Sequence, residues 1–556
     1  MNVLSDTSYR TDRILIILIS ALLFIPFIGT VHLFDWDEIN FAEASREMLM
    51  TGDYTHVQIN YETFWEKPPF FFWLQVLCMK VFGVNEFASR LPNALTGIAT
   101  MLALYAMGRK LENRKFAWIW MLVYAGSVLP HFYFRTGIID PVFNLFIFAS
   151  IWFVYRLALL DADQSKERMR FALYAGFFSG MAVLTKGPVG LLDVLLTVGV
   201  YMIVKKKFWV LNIKEWLLFF LAVAIVSIAW FGYELVTNGP FFLQEFIIYQ
   251  IRLFKTQDAG HGGPFYYHVL VILFGCFPMS YFSFLGLKNN ADDTEQRKAF
   301  RLWAIVSFLV VLVLFSIVRT KIVHYSSFCY FPLSYLAAAG VERLLNRSNT
   351  LNRWLVLALW ITGIIIGIAL TAFPILMHVY GNKMGKVTPF IKDPFAAANF
   401  MAPVYWSGWE ALAGLAYLMI FICAMYYLKK EIVKGIVLLF LSTILFHETV
   451  LPLFLPKIET NIQGEVVDFY ESLKGEDAYV EVYDFKSYAH LFYTDKKPFT
   501  NQQSKDLDWL MNGKVDKSVY LVTKVDRGEG LAIHPNFERI GGKYGYVFYK
   551  RKVASY

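Results

Sequence analysis

Two stretches of this chain contain no charged residue at all: ILIILISALLFIPFIGTVHLF (14–34) and WLLFFLAVAIVSIAWFGY (216–233). A helix needs roughly 20 mostly apolar residues to cross the hydrocarbon core of a bilayer. Such runs recur along a sequence that is 57% hydrophobic and only 17% charged, where a soluble protein carries about a quarter charged residues. The chain therefore reads as a polytopic membrane protein. Its first apolar run is too long for a removable signal peptide and lacks a small-residue cleavage site. The net charge of +8 then reflects basic cytoplasmic loops rather than a nucleic-acid partner.

Thirteen transmembrane helices are expected, near 14–34, 88–108, 116–133, 141–160, 171–186, 188–204, 215–236, 266–287, 302–318, 325–342, 353–378, 409–428 and 433–455. The apolar segment 68–83 is short and starts with two prolines. It reads as a helix lying at the membrane interface. Lys and Arg concentrate in the loops 108–115, 161–170, 205–214, 288–301, 342–353 and 429–434, which the positive-inside bias assigns to the cytoplasm. With an odd number of spans, the first outer loop (about 35–87) and everything after residue 456 then lie outside.

The tail is a different kind of sequence. AYVEVYDF (478–485), SVYLVTKV (518–525) and YGYVFYKR (544–551) have strand patterning, and 464–475 and 505–514 read as short helices. A membrane domain over 1–456 and a small C-terminal α/β domain over 457–556 are expected. The cysteines Cys78, Cys276, Cys329 and Cys423 have no CxxC spacing and read as apolar fillers rather than disulfide or metal ligands.

Orientation turns the basic residues into a filter. Lys67, Arg135, Lys186, Arg252, Lys255, Arg319 and Lys321 fall on outer loops, against the bias, and Asp35, Asp37, Glu38, Glu43, Glu66 and Asp140 share that face. Ionisable groups beside the apolar region point to function by default. Snorkelling anchors and structural ion pairs account for single members of this set, but less well for all of them on one face. Clustered cations among carboxylates suit an anionic ligand, phosphate above all. At a membrane surface one candidate is a sugar linked to a lipid phosphate. Its transfer needs cations to hold the departing phosphate. It needs a carboxylate only if the acceptor is a hydroxyl that must lose a proton.

The segment FWEKPPFFFW (64–73) sets an acid and a base in an aromatic stretch. Its prolines bias the preceding backbone toward an extended shape, which presents Glu66 and Lys67 together at the interface. Lys67 is a candidate to hold a phosphate oxygen, and Glu66 to bind a cation or orient its neighbour.

DEINFAEASREML (37–49), FWEKPPFFFW (64–73), RTGIIDPVF (135–143), LTKGPVGLL (184–192), HGGPFYY (261–267) and RTKIVHYSSFCYFPL (319–333) occur in the order found in bacterial membrane glycosyltransferases. Over about 13–455 the chain resembles the aminoarabinose transferase (ArnT)-like family, related to the dolichyl-phosphate-mannose protein mannosyltransferases. The resemblance implies a GT-C fold, a polyprenyl-phosphate-linked sugar donor and action on the outer side of the cytoplasmic (inner) membrane. It puts the key acid of the first outer loop at Asp37, the EKPP pair at Glu66 and Lys67, and the acid of the second outer loop at Asp140. On this basis Asp37 is expected as acceptor-side carboxylate or general base, with Asp140 supporting it or a basic neighbour. Lys67 and Arg252 are expected on the donor phosphate, with Lys186, Arg319 and Lys321 as further candidates. Glu66 and His261 are candidates for a divalent metal ion, and no organic cofactor is expected. One departure stands out: DEINFAE (37–43) has Asn40 and Phe41 where ArnT-like sequences often have Arg and Tyr, which leaves the sugar and the acceptor open.

The expected function is transfer of a sugar from a polyprenyl-phosphate donor to an envelope lipid or glycan, as in lipid A modification. A protein O-mannosyltransferase is the alternative within the same class. A transporter would carry charges near mid-bilayer, often with inverted repeats, and is the distant alternative. Expected partners are the donor, a lipid, glycan or protein acceptor, and membrane lipids.

Overall fold

The computed structural model describes residues 3–206, 209–256, 261–291, 293–346, 351–381, 388 and 391–551. Parts of the loops 205–214, 288–301 and 342–353, and the end of the expected C-terminal domain at 552–556, lie outside these residues. The chain is mainly helical, with a small sheet near its C-terminus.

Among the described residues, seven helices are long and apolar enough to cross a membrane: Glu86–Leu111, Asp140–Ala158, Ile213–Asn238, Glu295–Ile317, Arg353–Tyr380, Ala411–Lys430 and Ile432–Leu453. The helices Tyr267–Gly275 and Met279–Gly286 make an eighth if taken as one span bent by 101°. The other expected spans map onto shorter or more charged helices. The stretch 116–133 divides into Arg114–Ala125 and Val128–Tyr133, 188–204 becomes Val189–Lys205, and 325–342 becomes Tyr330–Leu345. The first helix ends at Phe24, two residues before Pro26, so the second half of the 14–34 run is irregular. Four of the helices that start on the basic loops begin at Asn113, Asn212, Thr294 and Asn352, each of whose side chains accepts a backbone N–H of the first turn. Two glycines let neighbours approach closely: a Cβ at Gly286 would lie 1.9 Å from the Leu336 carbonyl oxygen, and one at Gly340 would lie 2.3 Å from that of Phe282.

The segment expected as the first outer loop builds a helix at Asp37–Thr51, a two-stranded hairpin (58–59 with 62–63) and the apolar helix Phe70–Phe82. Proline at the start of a helix gives up an N–H that would be unbonded anyway, and here Pro69 is the residue that caps it. The C-terminal sheet has strand order 478–482, 518–524, 546–551, 537–543. The first pair is parallel and the others antiparallel. The strand 537–543 is absent from the sequence-based expectation because FERIGGK, with its glycines and charges, lacks alternation.

This C-terminal region and the first outer loop share a core. Leu33, Ile39, Ala42 and Met79 pack with Val466, Tyr470, Phe492 and Phe548. Polar bonds fix the register: the Tyr493 hydroxyl accepts from Leu33 N at 2.7 Å, Gln463 Nε2 donates to Leu33 O at 2.8 Å, and Arg46 Nη1 donates to Asp495 Oδ1 at 3.1 Å. Arg46 also grips Glu43 with two bonds of 2.6 and 2.7 Å. Burial and the adjacent Glu43 push the neighbouring Glu47 carboxyl above its usual range, and it accepts from Asn60 N and Tyr61 N. The helix that begins at Asp37 is thus pinned along its length.

Glu38 pins its start. Its carboxylate receives Arg90 Nη2 at 2.8 Å and Nε at 3.1 Å, Phe34 N at 3.0 Å and Gly137 N at 2.5 Å. Burial opposes ionisation there, but Arg90 and these bonds hold the carboxyl below its usual range. Arg90 also donates to the carbonyls of Ile28, Val31 and His32. Removing one partner of a buried ion pair leaves the other charge uncompensated, at about 3–5 kcal/mol. Glu38→Ala should therefore lower stability by about that amount, read as a fall in the thermal unfolding midpoint of purified protein. An unchanged midpoint would remove Glu38 from this structural role.

Candidate active site

A cavity of about 1130 Å³ is lined by residues 34–67, 132–144, 186–195, 249–261 and 314–328, with Lys486 from the C-terminal region. It exceeds the usual size of a small-molecule pocket. One wall is apolar, with Leu191, Leu192, Leu195, Leu314, Phe315 and Ile322. The rest collects ionisable groups from distant parts of the chain.

Each arrives at an element end. Asp37 opens the helix Asp37–Thr51, and Asp140 opens Asp140–Ala158 with Pro141 behind it. Lys186 closes Ser165–Lys186, where Gly187 turns the chain at φ +100°. A Cβ at Gly187 would lie 2.4 Å from the Phe246 ring, so glycine is required there on both counts. Arg252 lies in the last turn of Phe241–Lys255, and His324 in the 3₁₀ segment Val323–Cys329. Asn144 donates to Ser327 at 2.7 Å, which fixes the Asp140 helix against the His324 segment.

The geometry forms a compact network. Lys186 Nζ donates to Asp140 Oδ1 at 2.6 Å. His324 Nε2 lies 3.3 Å from Asp37 Oδ2 and 3.9 Å from Asp140 Oδ2. That second oxygen of Asp140 is buried and has no hydrogen-bond partner among the described residues. Lys67 Nζ lies 3.9 Å from Glu66 Oε2 and 5.0 Å from the centre of the Tyr249 ring. Arg252 faces the same ring at 5.1 Å. Such cation–π contact steadies a cation without neutralising it. Burial holds the Lys67 ammonium below the ordinary lysine range, although Glu66, Asp37 and Asp140 oppose it. Burial likewise holds the His324 imidazole below its usual range, against the pull of Asp140 and Asp37. Asp37 is the accessible carboxylate, with its side chain 37% exposed against 3% for Asp140.

Asp37, Glu66, Lys67, Asp140, Lys186, Arg252 and His261 all line this cavity, while Arg319 and Lys321 do not. Arg319 is exposed. The Lys321 amine donates to the carbonyls of Phe315, Ser316 and Val318, which caps the end of Glu295–Ile317. Of the other outer cations, Arg135 pairs with Glu448 and the Leu23 carbonyl. Glu66 and His261 offer a metal ion two ligands, fewer than the three of a typical catalytic site. Among the described residues, the group of three close metal-ligand atoms is His32, Asp468 and Glu471, none of which lines the cavity.

Three lining residues escape the sequence filter. His324 stands in the RTKIVHYSSF stretch, but a search for outer cations passes over a neutral imidazole. Asp193, 1% exposed in Val189–Lys205, is an acid within an apolar run, a signal that was available. Lys486 comes from the C-terminal region, and only the fold brings it here.

A family model described as dolichyl-phosphate-mannose-protein mannosyltransferase matches residues 66–230. An undecaprenyl phosphate-alpha-4-amino-4-deoxy-L-arabinose arabinosyl transferase of Shewanella sediminis is 26% identical over 60% of this chain. The match spans 61% of that relative's length. An uncharacterized protein of Aquifex aeolicus is 32% identical over 59% of this chain and 72% of its own. The crystal structure of ArnT from Cupriavidus metallidurans bound to undecaprenyl phosphate superposes with a TM-score of 0.77, covering 97% of this chain and 98% of that one at 19% identity. That likeness extends the shared fold over nearly the whole chain, C-terminal region included. With the ordered motifs converging on one cavity, these relationships make the chain a member of the ArnT-like family of GT-C membrane glycosyltransferases.

Proposed function

We propose that the protein transfers a sugar from a polyprenyl-phosphate donor to an envelope lipid or glycan on the outer side of the cytoplasmic membrane. The observation that carries this reading is the meeting of Lys67, Lys186 and Arg252 with the accessible carboxylate of Asp37 beside an apolar wall. The wall suits a polyprenyl chain, and the cations suit its phosphate. In the transfer, the acceptor oxygen bonds to the anomeric carbon as that carbon's bond to the phosphate oxygen breaks. The polyprenyl phosphate departs into the hold of Lys67 and Arg252. An acceptor hydroxyl gives its proton to Asp37, which Asp140 and His324 keep in place. Glu66 and His261 would hold a divalent ion only together with donor oxygens, and such an ion would polarise the phosphate.

This reading takes the membrane part (1–456) as thirteen spans and the outer 457–556 region as an α/β domain docked on the first loop. The Shewanella relative is an aminoarabinose transferase, which favours a pentose, and lipid A is the acceptor that the family resemblance implies. The mannosyltransferase family match favours a second reading, transfer to a protein hydroxyl. Mass spectrometry of lipid A and envelope proteins from cells with and without this chain tests both. A pentose on lipid A that depends on the chain supports the first, a hexose on protein the second, and no difference in either overturns the transferase reading in these cells. A reporter active only in the cytoplasm, fused after Tyr556, should be silent, and strong signal would reverse the orientation.

A further inference from the structure

The C-terminal region reaches the cavity through Lys486, in the loop between the strand Ala478–Val482 and the helix Ala489–Tyr493. The other cavity lysines lie near carboxylates, Lys186 at 2.6 Å from Asp140 and Lys67 at 3.9 Å from Glu66. Lys486 instead faces two rings, with Nζ 6.0 Å from the centre of Trp36 and 5.4 Å from that of Tyr488. Among the described residues it forms no salt bridge. Its charge is exposed at the mouth and open to a ligand.

Its position relative to Asp37 is built rather than accidental. Trp36 directly precedes Asp37 and adopts φ 77°, ψ −121°, a conformation bulky residues avoid unless their surroundings impose it. The surroundings come from the C-terminal region. Ser487 and the Tyr488 backbone stand near the Asp35 carboxylate and favour its charged form, and Asp35 N donates to Gln463 Oε1 at 3.2 Å. Gln463, bonded to Asp35 N and to Leu33 O, therefore holds the turn that carries Trp36 and Asp37, while residue 486 sets a cation over the Trp36 ring. His261 meets the same ring edge-on at 6.4 Å.

A transferase must hold two ligands. Lys67, Lys186 and Arg252, from the outer loops and helix ends, suffice for one donor phosphate. A fourth cation with separate support, lining the same cavity as Asp37 and without a salt bridge among the described residues, has no task in that set. We propose that Lys486 binds an anionic group, phosphate or carboxylate, of the acceptor, so that the C-terminal region supplies the acceptor half of the site. This rests on the donor and acceptor sides assigned under the proposed function.

The test uses the full chain in detergent micelles, with undecaprenyl phosphate as donor-side probe and bis-phosphorylated lipid A as acceptor-side probe. Binding of each is read by native mass spectrometry. Lys486→Ala should weaken lipid A binding about tenfold, as expected for loss of one charge-assisted bond at an exposed site, and leave undecaprenyl phosphate unchanged. Lys486→Arg should keep most of the lipid A affinity, and Lys67→Ala should show the opposite selectivity. Unchanged lipid A binding in Lys486→Ala overturns the assignment, as does equal weakening of both probes, which marks a structural role. Wild-type protein that binds undecaprenyl phosphate but not lipid A also overturns it and leaves the donor reading standing. Failure to bind undecaprenyl phosphate counts against the donor reading itself.

Discussion

Lys67→Ala is expected to lower sugar transfer by about 10²–10³-fold, the range seen when one preorganised donor to a developing anion is removed, with little change in thermal stability. The stability expectation follows from its surroundings. Among the described residues, the one carboxylate within salt-bridge range is Glu66, at 3.9 Å and 24% exposed, so truncation strands no buried charge there. The activity expectation follows from burial. Lys67 sits against Tyr249 with its side chain 12% exposed, where water screens a phosphate–ammonium attraction weakly. Lys67→Arg should recover only part of the rate, because a planar fork does not fill the place of a compact ammonium. The lowered pKa adds a pH signature. An ammonium is lost as pH rises through its pKa, and burial brings that loss to a lower pH than for a surface lysine. Donor affinity of the free enzyme should therefore fall on the alkaline side, earlier than an ordinary lysine would allow, and Lys67→Ala should lack that limb. Wild-type turnover in Lys67→Ala would leave the cation cluster without its assigned purpose.

Lys67 was legible in the sequence because its charge opposes the orientation bias and lies in a segment too apolar to solvate it. The same logic found Asp37, Asp140, Lys186 and Arg252. It does not separate them from Lys321, because a lysine just past a span looks the same whether it faces a ligand or caps a helix. Three backbone carbonyls decide that case, and they become visible only once the helix end is built. The helix elements followed apolar runs, but their ends did not. The first helix stops before Pro26, and the run 266–287 bends by 101°, although hydropathy continues smoothly through both. Lys486 was out of reach for another reason. Its approach to Trp36 depends on a core shared by residues 33–42 and 466–548, a separation along the chain that no local pattern encodes.

Asp37→Asn is expected to lower turnover by about 10²–10⁴-fold if the acceptor is a hydroxyl, the usual range for a general base. The structure narrows the choice of base among the cavity carboxylates. Glu38 is committed to Arg90 and two backbone N–H groups. Asp140 is 3% exposed and tied to Lys186. Asp37 is accessible and is met by His324 at 3.3 Å. Burial keeps that imidazole neutral at ordinary pH, so an N–H on Nε2 can orient the carboxylate without neutralising it. Asparagine preserves the shape and the hydrogen bond's reach but cannot accept a proton. With a hydroxyl acceptor, the loss should therefore appear in kcat, with acceptor KM little changed. A phosphate acceptor arrives ionised and needs no base. Asp37 would then act by positioning, and the loss should fall on acceptor KM at least as much as on kcat, at every pH. Steady-state rates of wild type and Asp37→Asn across pH, with lipid A and with a serine-containing peptide as acceptors, separate the two. An Asn variant as active as wild type with both acceptors would remove Asp37 from the chemistry and shift the test to Glu66 and Asp140.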